Sequence, residues 1–169
     1  MKLQLATVHA RKGKADALAD KVREHFQIEL PTDPRRVAAG HVGFMATAPG
    51  TWLATDDSDR PGFAERLIAA LGDLASIVDQ SDSVVVFTLS GPNVRETFGR
   101  IVPIDLHPRA FKVDQIAVTQ AAHIPLTLWR SRDGVPNDDP NEDQNEGHSA
   151  TVFHFAVPRS YADSLQELL

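Results

Sequence analysis

Apolar residues recur at every second position in some segments of this sequence and at every third or fourth position in others. The strand-like and helix-like segments alternate along the chain. Residues 3–7 alternate as in a strand, whereas residues 14–26 carry apolar side chains at helical spacing. Residues 41–55 predict two strands joined by a turn at Pro49-Gly50, and a second helix is predicted to begin near Phe63. Antiparallel hairpins that alternate with helices predict an α+β fold.

The second half of the chain continues this alternation. A short strand and a polar turn at residues 80–83 precede the most β-prone run of the sequence, residues 84–89. A third helix is predicted from Pro92 to about Arg100, because proline at the first helical position has no N–H to leave unpaired. Three more strands are predicted at residues 113–119, 123–130 and 151–157.

The last residues predict a terminal helix. Ser160 is predicted to cap it, with Asp163 in the capping-box position. Three leucines of this helix are predicted to face the core: Leu165, Leu168 and Leu169. Because no linker separates the hairpins and helices, the sequence predicts a single domain over residues 1–169.

All of the net negative charge falls in one segment. Residues 133–148 contain six acidic residues and no Lys or Arg, which accounts for the net charge of −6. The segment predicts a mobile, solvated acidic loop between two strands. Its Asp and Asn residues resemble calcium ligands, but their spacing does not fit the EF-hand pattern. The charge-balanced remainder leaves no basic face, so nucleic acid is excluded as a partner.

Composition also limits the compartment and the chemistry. The sequence has no cysteine, which excludes disulfides, thiolate nucleophiles and Cys-ligated zinc or iron–sulfur clusters. It contains neither a signal-peptide pattern nor an apolar stretch of membrane-spanning length. These features predict a cytoplasmic protein without a membrane partner.

The segment PIDLHPRAFK, residues 103–112, concentrates polar chemistry between two prolines. Asp105, His107 and Arg109 are residue types that hydrolases and proton-transfer enzymes use. The alternative is a stiff corner between a helix and a strand, in which Asp105 accepts backbone N–H bonds and Arg109 pairs with it or with a partner. Because the sequence offers no second catalytic group, the corner is the preferred interpretation.

Other chemistry-bearing residues form no recognisable set. The seven histidines lack metal-ligand spacing, and the sequence has no P-loop, dinucleotide fingerprint or nucleophile elbow. Ser90 precedes a helix and fits a cap better than a nucleophile. Trp52 and Trp129 could stack on a flat ligand, yet each lies in an alternating strand pattern typical of the core. No catalytic, cofactor-binding or metal-binding residue is therefore predicted.

Several short motifs occur in an order that resembles a known family. They are LPTDP (30–34), WLAT (52–55), IVDQSDS (77–83), LSGP (89–92), PIDLHPRAFK (103–112), VTQAAH (118–123), LTLWR (126–130) and FAVPRSYADSLQELL (155–169). Together they resemble the gamma subunit family of heterotetrameric sarcosine oxidase. The family commonly has a glycine soon after the phenylalanine of the corner, where this chain has Lys112, Val113 and Asp114.

The resemblance implies a non-catalytic subunit. Its partners would be alpha, beta and delta chains of a complex that oxidatively demethylates sarcosine to glycine and passes the one-carbon unit to tetrahydrofolate. The resemblance places FAD, FMN, NAD and tetrahydrofolate on the partner subunits and none on this chain. It also implies a fold like the folate-binding module of the glycine-cleavage aminomethyltransferase.

Two functional hypotheses follow. In the first, the chain docks to a large flavoprotein through a surface formed by six residues: Trp52, Asp105, His107, Arg109, Phe111 and Trp129. In the second, it is a freestanding folate-binding or one-carbon-transfer protein, in which Trp52, Trp129 and Arg130 contact the pterin and the glutamate.

Overall fold

The computed structural model describes residues 3–91, 93–131 and 152–169. The chain groups into two compact units, Met1–Val85 and Val86–Leu169. The single-domain prediction stays a prediction. Pro92 and the acidic segment 133–148 lie outside the described residues.

The first unit is a five-stranded antiparallel sheet with two helices. Its elements, in chain order, are β1 (Gln4–Ala10), α1 (Ala15–Phe26), β2 (Arg36–Ala39), β3 (Val42–Ala48), β4 (Thr51–Asp56), α2 (Phe63–Leu71) and β5 (Ala75–Asp79). The strand order is β2-β3-β4-β1-β5. The predicted opening strand, both helices and the hairpin at Pro49-Gly50 are confirmed.

The core of the first unit joins one face of the sheet to the two helices. Val8, Phe44 and Trp52 supply the sheet side, and Leu18 and Leu67 are among the helix residues in the same buried cluster. The alternation along the strands puts these residues on one face, as period-two patterning requires. Burial of large apolar side chains between a sheet and two helices stabilises such a unit more than any single polar contact does.

The end of α1 is fixed by backbone geometry and by an ion pair. Gln27 adopts the left-handed conformation at φ 55°, and its N–H donates to the Arg23 carbonyl at 3.0 Å. The Arg23 guanidinium forms a two-point contact with the Glu29 carboxylate. The hydrogen bond from Arg23 lowers the pKa of Glu29, and the same contact raises the pKa of Arg23.

A buried ion pair holds the connection between β4 and α2. The Asp56 carboxylate is only 1% exposed and pairs with the Arg66 guanidinium. Arg66 also donates to the Pro61 carbonyl at 2.6 Å, and the Ser58 N–H donates to Asp56 Oδ1 at 2.8 Å. Both ends of the connection are therefore tied to the same two side chains.

The second unit is a four-stranded antiparallel sheet with short helices. Its elements are β6 (Val84–Ser90), α3 (Val94–Gly99), β7 (Ile116–Ala121), β8 (Ile124–Ser131), β9 (Val152–Pro158), a 3₁₀ turn (Arg159–Tyr161) and α4 (Ala162–Gln166). The strand order is β6-β9-β8-β7. The α+β class with antiparallel sheets is confirmed, whereas the likeness to a folate-binding module stays a prediction.

Aromatic rings organise the core of the second unit. The Phe155 ring stacks against Phe98 with centroids 4.8 Å apart and against Phe87 at 5.6 Å. Phe153, two residues earlier on β9, contacts the Phe111 ring at 6.2 Å. Rings in such arrangements add to the free energy gained by their burial alone.

The terminal helix differs from its prediction in two respects. Ser160 does not cap a helix, because it lies inside the 3₁₀ turn, and α4 begins at Ala162 without a side-chain cap. Leu165 is fully buried, but Leu168 and Leu169 are 42% and 38% exposed. Since the helix ends at Gln166, its length covers the core with one leucine only. Two strands also differ from their predictions. β2 was not predicted from the sequence, and β7 begins at Ile116 and not at residue 113.

Candidate functional site

The PIDLHPRAFK segment folds as a run of turns between α3 and β7. Asp105 Oδ1 accepts the His107 N–H at 2.8 Å. The His107 carbonyl accepts the N–H groups of Ala110 and Phe111 at 2.9 and 2.8 Å. The corner interpretation is confirmed in its geometry, because Asp105 accepts a backbone N–H within the turn, as side chains of this type do.

Buried groups anchor this corner to the second sheet. Phe111 is 3% exposed and Leu106 is also buried. The buried Arg130 guanidinium of β8 donates to the Phe111 carbonyl at 3.2 Å. The Asp114 N–H in turn donates to the Arg130 carbonyl at 2.8 Å. Asp114 has φ 63°, a left-handed conformation that glycine adopts easily. It is one of the three residues that stand where the family commonly has a glycine.

Three of the six predicted interface residues are exposed, and three are not. Asp105, His107 and Arg109 lie exposed on the corner. Trp52 is 5% exposed and its indole N–H donates to the Pro31 carbonyl at 2.8 Å. Phe111 is 3% exposed and Trp129 is 5% exposed. These three rings are buried within the chain, whereas the polar corner is accessible. The six-residue interface stays a prediction.

A histidine on the second sheet links three strands. His154 of β9 pairs through Nδ1 with Thr88 Oγ1 of β6 at 3.0 Å and through Nε2 with Ser131 Oγ of β8 at 3.0 Å. Its ring stacks on Trp129 with centroids 5.2 Å apart. The alternation of His154 with the buried Phe153 and Phe155 puts it on the opposite face of β9, but no local motif indicates its partners.

The pairing of Ser131 with His154 resembles half of a nucleophile–base pair. In a Ser-His-Asp triad, a carboxylate orients the imidazole from its other nitrogen. Here the Thr88 hydroxyl takes that position at Nδ1. A hydroxyl fixes the ring without stabilising an imidazolium by charge, so the contacts hold neighbouring strands together, and no acyl-transfer role is assigned to them.

The first unit carries an acidic cleft beside the start of α2. The cleft has a volume of about 380 Å³ and is lined by Gln4, Ser58, Asp59, Pro61, Gly62, Phe63, Glu65, Asp79, Ser81 and Asp82. The Gln4 amide, which lines the cleft, donates to the Arg60 carbonyl at 2.6 Å and accepts the Phe63 N–H at 3.0 Å. Asp59, Glu65 and Asp79 bring three carboxylates to this space, and no Lys or Arg is among the described residues that line it. Such an excess of acidic groups gives the cleft a negative potential.

A metal site requires a cluster of ligand side chains, and a folate site requires an accessible set of contacting residues. Among residues 3–91, 93–131 and 152–169, no three His, Asp or Glu side chains lie close enough to hold a metal ion. The three residues predicted to contact folate, Trp52, Trp129 and Arg130, are all at least nine-tenths buried. They therefore do not fit a pterin or a glutamate tail in this conformation. No helix within the described ranges has the length and apolar character to span a membrane.

The fold and the site together define an α+β protein of two antiparallel sheets that presents an exposed polar corner on a buried aromatic and arginine scaffold. The profile of the family described as "Sarcosine oxidase, gamma subunit family" matches residues 11–125. The chain belongs to this sarcosine oxidase gamma subunit family.

Curated relatives and a solved structure agree with this membership. The gamma subunit of sarcosine oxidase from Arthrobacter sp. is 39% identical over 100 residues, which cover 53% of this chain and 49% of the relative. The gamma subunit from Corynebacterium sp. (strain P-1) is 38% identical over 101 residues, covering 56% and 48%. The chain thus spans about half the length of the curated relatives that it matches.

The solved structure is similar in fold over a longer range. A chain of the heterotetrameric sarcosine oxidase from Corynebacterium sp. U-96, in complex with pyrrole 2-carboxylate, matches with a TM-score of 0.75 and 23% identity. The match covers 99% of this chain and 77% of the other. At this identity the comparison establishes the fold.

Proposed function

We propose that this chain is the non-catalytic gamma subunit of a cytoplasmic, heterotetrameric sarcosine oxidase-type complex. In this role it stabilises the large flavin-binding subunits while they oxidise sarcosine to glycine and transfer the one-carbon unit to tetrahydrofolate. The observation that carries the proposal is the match of residues 11–125 to the gamma subunit family. Its partners are alpha, beta and delta subunits.

The site supports a docking role more than a catalytic one. Asp105, His107 and Arg109 project from a turn whose backbone is fixed by internal hydrogen bonds and by the buried Phe111. A rigid turn loses little conformational entropy when it binds a partner. An exposed arginine on such a turn can form a two-point contact with a partner carboxylate. We therefore assign the corner to the subunit interface.

The proposal places every cofactor on a partner. FAD, FMN, NAD and tetrahydrofolate belong to the alpha and beta subunits, where their chemistry takes place. The burial of Trp52, Trp129 and Arg130 argues against the freestanding folate-binding alternative. Titration of the isolated chain with a reduced folate, followed by tryptophan fluorescence, should give no saturable change. Saturable micromolar binding would instead favour that alternative.

Co-expression tests the subunit assignment. The chain should co-elute from size exclusion with the alpha, beta and delta subunits, and omitting it should lower the yield of soluble, flavin-loaded complex. Arg109→Glu should weaken this co-elution. Arg100→Glu is the matched control, because Arg100 is exposed on the same unit and, in the part of the chain that the structure describes, pairs with Glu96 of the helix it follows. If the unaltered chain elutes alone at every stoichiometry, or if it demethylates sarcosine by itself, the proposal is wrong.

A further inference from the structure

The β1–β5 ladder fixes which backbone groups of β5 face outward. The Gln80 N–H donates to the Leu5 carbonyl at 2.8 Å just beyond one end of the ladder, and the Arg11 N–H donates to the Leu74 carbonyl at 2.9 Å just beyond the other. In antiparallel pairs, hydrogen-bonded positions recur at every second residue. The two end bonds lie an even number of residues apart, so one uniform alternation runs along β5.

This alternation leaves one side of β5 open. The register pairs Val78 with Thr7 and Ser76 with His9, and these are the bonded positions. The N–H and C=O groups of Ile77 and Asp79 therefore point away from β1. Within the described residues, no strand pairs with β5 on that side. Val78, 52% exposed, shows that solvent reaches this part of the strand.

The open edge is bordered by negative charge. Asp79, the last residue of β5, also lines the acidic cleft, where Asp59 and Glu65 face the same space. The opposite edge of this sheet differs, because β2 begins at Arg36 directly after Arg35. A basic segment is therefore attracted more strongly to β5 than to β2, where Arg35 is paired with Asp33.

We propose that the outer edge of β5 binds an extended, positively charged segment of a large partner subunit as a sixth strand. The segment would pair with the backbone of Ile77 and Asp79, place a small apolar side chain against Val78, and extend a Lys or Arg into the acidic cleft. Strand addition of this kind draws its affinity from main-chain hydrogen bonds and its specificity from side-chain contacts. The inference rests on the proposed function, since it names the chemistry by which the partner is held.

A pair of proline variants tests the backbone contact. Ile77→Pro removes an outward N–H and leaves the bonds to β1 intact. Ala38→Pro is the matched control on β2. The Ala46 N–H donates to the Arg35 carbonyl at 3.3 Å, so the positions bonded to β3 are Arg35 and every second residue after it. The N–H of Ala38 therefore points away from β3. Edge positions tolerate proline. In co-elution and in binding titrations with the large subunits, Ile77→Pro should weaken binding about tenfold or more, whereas Ala38→Pro should not.

A pair of charge reversals tests the electrostatic contact independently. Glu65→Lys places a cation in the cleft, and Asp16→Lys makes the same kind of change in the first turn of α1. Both variants lose an acidic residue from a helix N-terminus, so their effects on helix stability are comparable. Only Glu65→Lys should weaken binding, and the difference should shrink as NaCl rises from about 0.05 M to about 0.5 M.

The outcomes separate the two proposals. If the unaltered chain does not assemble with the large subunits, the proposed function fails and the docking strand fails with it. If it assembles and both Ile77→Pro and Glu65→Lys bind like their controls, the docking strand alone is refuted. Should Ile77→Pro lose its far-ultraviolet circular dichroism, the charge-reversal pair decides the question by itself.

Discussion

The carboxylate of Asp56 shows how a single residue can hold a connection in place. It is nearly inaccessible to solvent and has the Arg66 guanidinium as its counter-ion, with the Ser58 N–H as an additional donor. The Arg66 side chain also packs over the Phe63 ring, with its guanidinium carbon 5.6 Å from the centroid. A buried carboxylate that keeps its charge needs such partners, because water cannot solvate it.

Removing the cation should therefore be costly. Arg66→Ala leaves Asp56 buried without its counter-ion and is expected to lower the free energy of unfolding by about 2 to 4 kcal/mol, somewhat reduced because Arg66 itself is partly exposed. Urea denaturation measures the change. Arg23→Ala is the comparison variant, since it removes a fully exposed pair with Glu29 and should cost much less. Equal losses in the two variants would contradict a special role for the buried pair.

Single residues were predictable where their role is local. Asp105 bonds to an N–H two residues later, and such a contact can be inferred from a short motif. The contacts of His154 could not be inferred, because Thr88 and Ser131 reach it only through the register of three strands. The burial of Trp52 also depended on a remote carbonyl, that of Pro31. Long-range pairing therefore limited the prediction of the site.

Among the elements, the β7–β8 hairpin turns through two residues that disfavour the geometry it needs. The register pairs Ala121 with Ile124, which leaves Ala122 and His123 as the loop. Their φ angles are 44° and 75°. Two-residue hairpins of this kind require positive φ at both positions, where Asn-Gly is the preferred sequence. The alanine, with its Cβ and no polar side chain, is poorly suited to this conformation.

Replacing the loop with the preferred residues should stabilise the hairpin. Ala122→Asn combined with His123→Gly is expected to raise the free energy of unfolding by about 1 kcal/mol, because the native backbone no longer opposes the side chains. Thermal and urea unfolding measure the gain. A control with Ala122→Val should lose stability, since a β-branched residue at positive φ is strained. A loss in the Asn-Gly variant would mean that His123 makes a contact that outweighs its backbone cost.

Elements with clear periodicity were predicted well, and those dominated by tertiary contacts were not. α1 was predicted from 14–26 and begins one residue later, at Ala15. β2 was missed because Arg36–Ala39 is only four residues long and has no alternating pattern; it exists through its pairing with β3. The cap at Ser160 failed because Pro158 has extended φ and ψ of −56° and 136° and a 3₁₀ turn intervenes before α4. Local motifs cannot report such intervening turns.

At the scale of the whole molecule, charge and fold are separable. Residues 133–148 carry the entire net charge of −6. The β8–β9 pairing is set elsewhere, since its register runs from Thr127 with Ala156 to Ser131 with Val152. The ladder between these pairs contains the buried Leu128 and Phe155. The pairing should therefore not require the acidic sequence.

Replacing residues 133–148 with a Gly-Ser linker of about half the length tests this separation. The variant should elute much earlier from an anion exchanger because the chain becomes nearly neutral. Its free energy of unfolding should change by less than about 1 kcal/mol, since halving the length of a connecting segment alters its closure entropy by only about 0.6 kcal/mol. A Gly-Ser linker of the original length isolates charge from length. A loss of more than about 2 kcal/mol with either linker would show that the acidic residues stabilise the fold.

The strand order of the first sheet also dictates the sequence of events during synthesis. β1 is made first, yet it lies between β4 and β5, the last two strands of its sheet to leave the ribosome. The β3–β4 hairpin can close from its own residues, whereas β1 must wait with Leu5 and Val8 uncovered until that hairpin exists. Nascent polypeptides of this protein therefore expose the apolar residues of β1 until β4, Thr51–Asp56, has been synthesised, and chaperones can bind β1 during that interval.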